Sequence, residues 1–193
     1  MVRKGASLNR IAVNVSSYQF QQLDFFTKIL NILKEVNLPA HYLELELTEN
    51  VFMSDVTENI SKLNKFKGVG VSLVIDDFGT DYSSLSYLNS LPIDTLKIDR
   101  SFIANITKES IECVIVRAIL ALAEQLDLKV IAEGVENLSQ VNFLKHHHCT
   151  SLQVFYYSRA SPANEGDKLL GLDKAAIELD YHVQKIVMKN VFA

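Results

Sequence analysis

Leu43-Glu44-Leu45-Glu46-Leu47 alternates apolar and acidic residues without a break. Successive side chains of an extended strand point to opposite faces, so the three leucines share one face and the two glutamates the other. The apolar face would pack on helices, and the acidic face would look toward the middle of the fold. Leu96-Lys97-Ile98-Asp99 repeats the arrangement, with Leu96 and Ile98 opposed to Lys97 and Asp99. Short β-branched runs at 11–15, 71–75, 129–132 and 152–156 join 43–47 and 95–98 to give six expected strands.

Amphipathic stretches separate these strands. Phe20, Leu23, Phe26, Leu30 and Leu33 recur at helical spacing, as do Val56, Ile60, Leu63 and Phe66, and both sets read as core-facing stripes. Later helices are expected at 111–126 and around Val141 and Leu144, with a further one at 173–189. Parallel neighbours cannot be joined by a tight turn, so strand-helix alternation implies a parallel sheet with helical crossovers. The fold class is α/β. Alternation alone leaves an open sheet and a closed barrel both standing.

Composition narrows the function classes. A chain of 193 residues with 48% apolar residues has the length of one domain and can bury a core, which excludes disorder for most of it. Seven Gly and three Pro are too few for a loop-rich sandwich or a low-complexity polymer. The net charge of −4 provides no global basic field, so duplex DNA or RNA is not an expected partner. Cys113 and Cys149 form neither a disulfide framework nor a metal-ligand spacing, which fits a reducing, cytoplasmic location. The longest nearly apolar run, 114–123, is interrupted by Arg117 and falls well short of the roughly 20 residues that span a bilayer. The start is too short in apolar residues for a secretory signal, and no membrane segment is expected.

Polar residues recur toward the C-terminal ends of the strands: Asn14, Glu44 and Glu46 with Glu49 just beyond, Asp76 and Asp77, Lys97, Glu133 and Gln153. The gaps between successive members from Asn14 through Glu46, Asp76, Lys97, Glu133 and Gln153 are 32, 30, 21, 36 and 20 residues, each one strand-helix unit. A lone strand-end carboxylate is ordinarily a solvated edge residue, but a recurring one marks a shared position. Carboxylates gathered in one small space repel one another and need a cation or a shifted pKa. Oxygen donors, an amide and an amine at the mouth of a parallel barrel fit a hard metal such as Mg²⁺, Mn²⁺ or Ca²⁺, while the lack of strand-end His or Cys argues against zinc. Such a site suits hydrolysis of a phosphate ester, in which paired ions clamp the attacking and leaving oxygens and Lys97 orients the water or steadies developing charge. His146, His147 and His148 are consecutive, cannot share one helix face, and fit a helix C-terminus better than a metal site.

The same residues lie in motifs that resemble the EAL family of cyclic di-GMP phosphodiesterases. The matching stretches are AVNVSS (12–17), LELELTEN (43–50), IDDFGTDYSSLSYLNSLPIDTLKIDRSFI (75–103), VIAEGVEN (130–137) and LQVFYYSR (152–159). The resemblance implies a TIM-type barrel, here with about six strand-helix units at 1–170 and a C-terminal helix at 171–193. It also implies cyclic di-GMP as substrate, linear pGpG as product and Mg²⁺ or Mn²⁺ as cofactor, with Ca²⁺ bound without turnover. It assigns Asn14, Glu46 and Asp76 to one ion, and Asp76, Asp77 and Glu133 to a second. Lys97 would hold the catalytic water, Glu49 would brace the loop after Asp77, and Glu136 and Gln153 would support the substrate side. A homodimer or a sensory partner domain would accompany the domain.

Three departures from the family pattern stand out. The Glu-Ala-Leu motif does not occur in the sequence, and six units imply that the first part of the barrel is missing, which would weaken metal coordination and hydrolysis. The usual DDFGTG reads DDFGTD at 76–81, adding the Asp81 charge beside a site for an anion. The usual Gln-Gly-Tyr reads Gln153-Val154-Phe155, and Ala160 stands where a proline is usual. These changes give a second expectation, a non-catalytic module that binds cyclic di-GMP or a protein. A third, an unrelated carboxylate-rich barrel enzyme, has only the acidic pattern behind it.

Overall fold

The computed structural model describes residues 10–52, 55–80, 88–106, 110–149 and 151–154. Six strands, β1 (Ile11–Val15), β2 (Leu43–Thr48), β3 (Ser72–Phe78), β4 (Thr95–Ile98), β5 (Lys129–Val135) and β6 (Ser151–Val154), pair in chain order. Every pairing is parallel. Six helices accompany them among the described residues: α1 (Ser17–Gln21), α2 (Phe25–Glu35), α3 (Val56–Gly68), α4 (Arg100–Ala104), α5 (Ile111–Gln125) and α6 (Leu138–His146). The expected strand end at 155–156, the C-terminal helix at 173–189, the boundary at 170–171, Asp81, Phe155 and Ala160 all lie outside the described residues.

The leucine face of β2 is covered as the alternation requires. Leu43, Leu45 and Leu47 join Leu73, Ile75, Leu96 and Ile98 in one core with Phe20, Phe25, Leu63 and Phe66 from the helices. Each fully buried side chain of this kind contributes about 2 kcal/mol of hydrophobic stabilisation. Phe66 receives the rings of Phe25 and Phe26 edge-on, at centroid distances of 5.7 and 5.0 Å, which fastens α2 to α3.

One expected stripe is corrected, and the other loses its first member, Val56, which is exposed at the start of α3. The apolar series from Phe20 to Leu33 is not one helix: α1 ends at Gln21, and α2 begins at Phe25. Leu23 falls in the break and is 92% exposed. The break resets the helical phase, so Phe25, Ile29 and Leu33 form the buried face of α2, while Phe26 and Leu30 are only partly buried. The short helix α4, which carries no periodic apolar pattern, is started by Asp99, whose side chain accepts from the Ser101 N–H at 2.9 Å. Asp99 therefore caps a helix instead of joining the inward face with Lys97.

Register sets the height of the polar residues. Asn14 lies opposite Glu46, and Glu133 opposite Gln153. Glu46, however, lies opposite Val74, which leaves Asp76 two residues further along β3. Val74 is opposite Thr95, so Lys97 stays level with Asp76; Lys97 is opposite Ile131, and Glu133 is again two residues on. A level path across the strands thus advances in alternate steps of none and two. That averages about one residue per strand, the stagger of an eight-stranded parallel barrel. The sheet curls accordingly, and among the described residues β1 and β6 form its two edges.

Two register shifts interrupt the ladders, between Ile75 and Phe78 and between Glu133 and Val135. They let β3 and β5 continue past the points, 75 and 132, where the apolar runs stop. Asp77 takes a positive φ of 54° in the first, and Gly134 one of 66° in the second. Asp accepts this conformation better than most residues. Gly134 is required sterically, because an added Cβ would lie 2.4 Å from Arg100 Cγ.

At the opposite, N-terminal end of the strands, Asp94 ties β3 to β4. Its carboxylate accepts from the Leu73 N–H at 2.9 Å, from Ser72 Oγ at 3.2 Å and from the Lys67 ammonium. Partial burial opposes ionisation, but these bonds outweigh it and hold the carboxyl below its ordinary value. A depressed folded-state pKa contributes stability above the unfolded pKa and loses it as pH falls through the folded one. Asp94→Asn is expected to lower stability at pH 7 by about 1 kcal/mol, the group being partly exposed. Urea titrations should show the deficit shrinking below pH 4 or so, as the wild-type carboxyl protonates; a deficit constant down to the folded pKa would contradict the assignment.

Candidate metal centre

Lys97 stands at the middle of the inward face, 3% exposed. Its Nζ lies 2.6 Å from Asp76 Oδ1 and 3.5 Å from Glu46 Oε2, and it also pairs with Glu133 Oε1. Burial alone would lower the lysine's pKa, but the charges of Asp76 and Glu133 more than reverse this, so it stays protonated. Glu133 shifts the other way for an acid: burial first, then Asp76 and Asp77, raise its pKa against the pull of Lys97. Glu46, Asp76, Asp77 and Glu133 against the one ammonium leave a formal charge of −3 when all are ionised.

Two overlapping sets of oxygen atoms share Asp76. Carboxylate oxygens of Asp76, Asp77 and Glu133 all lie within 4.8 Å of one another. On the other side, the end of the Asn14 amide lies 3.1 Å from both Glu46 Oε2 and Asp76 Oδ2. Turned one way, its nitrogen donates to both carboxylates. Turned the other, three oxygens converge at about the 3 Å spacing of neighbouring ligands around an octahedral ion with bonds near 2.1 Å. Gln153 Oε1 is buried near Glu133 in register and meets no hydrogen-bond donor among the described residues. The excess negative charge, the convergent hard oxygens and this orphaned acceptor fit divalent cations of the Mg²⁺ class.

The turns after the strands hold these groups in place. Asp77 is aimed by the β3 bulge, a common device beside functional sites. Glu49, 3% exposed in the 3₁₀ turn Glu49–Phe52, accepts from the Gly79 N–H at 3.3 Å and so touches the loop after Asp77. Asn59 secures that turn by donating to the Val51 carbonyl at 2.8 Å. Not every expected residue joins the centre. Glu136 lies outside the carboxylate cluster and pairs with Arg100 at 3.4 Å, both half-exposed. Glu44 faces inward one layer lower, 3.9 Å from Arg10. Asn14, although it reaches the cluster, is exposed on β1 at the sheet edge.

Sequence reasoning missed Arg100, Asn59 and Gln140 as partners of this end of the sheet. Only Gln140 left a local signal, the Asn137-x-x-Gln140 pattern of a capping box.

Residues 2–160 match the model described as "EAL domain". The chain belongs to the EAL domain family. Cyclic di-GMP phosphodiesterase NbdA of Pseudomonas aeruginosa is 43% identical over 153 residues, which are 79% of this chain and 20% of NbdA. The PaMucR phosphodiesterase in complex with c-di-GMP aligns over 81% of this chain and 63% of its own, with TM-score 0.77 and 43% identity. The Klebsiella pneumoniae BlrP1 manganese/cy-diGMP complex aligns over 79% of this chain and 39% of its own, with TM-score 0.72 and 27% identity. The chain thus spans about a fifth of the length of NbdA. The barrel expectation agrees with these neighbours, one of which was solved with manganese. Among the described residues no helix is long and apolar enough to cross a membrane.

Removing the central ammonium tests this electrostatic picture. Breaking a buried ion pair from one side costs about 3–5 kcal/mol, so Lys97→Met is expected to lower Tm by roughly 6–20 °C at pH 7.5. A carboxyl whose folded pKa is raised destabilises the fold at neutral pH, and that cost disappears as pH falls through the folded value. Melting curves should therefore show the deficit narrowing at pH 5.5, and Mn²⁺ raising Tm more for Lys97→Met than for the wild type. Equal Tm increments with Mn²⁺ would contradict a surplus of negative charge at this centre.

Proposed function

We propose that this chain carries the metal- and substrate-facing part of a phosphodiesterase that opens cyclic di-GMP to linear pGpG with Mg²⁺ or Mn²⁺. The observation that carries the reading is the convergence of oxygens about Asp76, with Lys97 set among them. Family membership and the named activity of NbdA support the substrate class.

In this reading Asn14, Glu46 and Asp76 hold one cation, and Asp76, Asp77 and Glu133 a second. The cations supply charge neutralisation at the phosphodiester and acidification of the attacking water. Lys97 donates a hydrogen bond to that water and steadies the negative charge that builds on the phosphate. Water oxygen bonds to phosphorus, the P–O3′ bond breaks, and the 3′-oxygen leaves with a proton, so the opened product keeps its phosphate on the 5′ end. Glu49 keeps the turn after Asp77 in place through Gly79, and Glu136 and Gln153 border the substrate. Cys113 and Cys149 are both buried and form no disulfide, which fits a cytoplasmic setting.

Incubation with cyclic di-GMP and Mn²⁺, followed by chromatography, is expected to yield pGpG. EDTA should abolish the product, and Glu133→Gln should reduce its rate roughly 100-fold or more. Calorimetric binding of cyclic di-GMP without turnover would replace the enzyme by a sensor module. A chain that neither binds cyclic di-GMP nor turns it over would refute the proposal.

A further inference from the structure

The loop after β5 begins with Glu136, three residues beyond Glu133, and Glu136 and Asn137 are exposed and lie beyond the strand. What fixes it is a single buried side chain. Gln140, 3% exposed, accepts from the Glu136 N–H at 2.7 Å and from the Asn137 N–H at 3.1 Å through Oε1. Its Nε2 donates to the Ile103 carbonyl at 3.0 Å. The Asn137 side chain in return accepts from the Gln140 N–H at 3.0 Å. A capping box needs only the acceptor half of this amide. The donor half does something else: it reaches 37 residues back along the chain to α4.

That second bond joins the two turns that flank the Lys97 and Glu133 pair. α4 begins two residues after β4 ends, and its first residue, Arg100, lies against Gly134 and pairs with Glu136. Resting on the metal reading above, we propose that Gln140 is a positioning residue: its amide locks the β5 turn to α4 and thereby holds Glu133 at the spacing from Asp76 and Asp77 that a cation requires. Groups that orient metal ligands from behind commonly govern affinity as strongly as one order of magnitude. Gln140 can act so because buried amides are costly to leave unpaired, and here both of its ends are engaged.

Calorimetric titration of the whole chain with Mn²⁺ tests this. Gln140→Glu keeps the two acceptor bonds of the cap and loses the donor to Ile103; Gln140→Met loses both. Each is expected to weaken Mn²⁺ binding about tenfold and to alter the EPR spectrum of the bound ion. Asp94→Asn, which loosens the far end of the sheet, should leave both readouts as in the wild type. Wild-type Mn²⁺ affinity in Gln140→Glu overturns the inference. So does rapid hydrogen exchange at the Glu136 and Asn137 amides of the wild type, a measurement that needs no variant to fold. A wild type that binds no Mn²⁺ overturns the metal reading itself, and this inference with it.

Discussion

A buried ammonium among carboxylates is the constraint from which the inward face of this sheet follows. Lys97 can be 3% exposed only because Asp76, Glu46 and Glu133 surround it, and those acids can approach one another only because it is there. The compensation is incomplete. Four acids face one base, and burial first, then the charges of Asp76 and Asp77, raise the pKa of Glu133 against the pull of Lys97. An interior arranged in this way is poorly suited to stability for its own sake, since apolar replacements of buried ion pairs are often neutral or better. It is well suited to attracting divalent cations.

The backbone assembles this arrangement by stagger and by bulge. Steps of two residues between β2 and β3, and between β4 and β5, bring Glu46, Asp76, Lys97 and Glu133 to one level although they are not direct ladder partners. The bulges at Asp77 and Gly134 then turn the strand ends at the places where carboxylates are needed. Outside this face the energetics are ordinary: leucines, isoleucines and phenylalanines pack sheet against helix, and Asp94 fastens the other end.

Much of the fold was legible in the chain because its signals are local and repetitive. β1 and β4 begin and end where their apolar runs do, and the remaining four strands differ only at their ends. Those ends were hidden for a physical reason. A register shift depends on the partner strand, so the continuation of β3 through Asp77 to Phe78 has no signature within β3 itself. The Leu23 error has the same origin. Helical spacing describes a face, but a five-residue helix followed by a break keeps the spacing while losing the face.

The sequence by itself determined the α/β class, the parallel order, the parity that sends Glu46 and Lys97 inward and the family to which the chain belongs, because alternation and motif are written in neighbouring residues. Tertiary structure alone decided which of the acids meet. It drew Asp76, Asp77 and Glu133 within reach of one another, set Glu136 aside with Arg100, made Asp99 a helix cap, and enlisted Gln140 from a surface helix. Those outcomes depend on strand stagger and on turns packed against each other across tens of residues, and no window along the chain contains both partners.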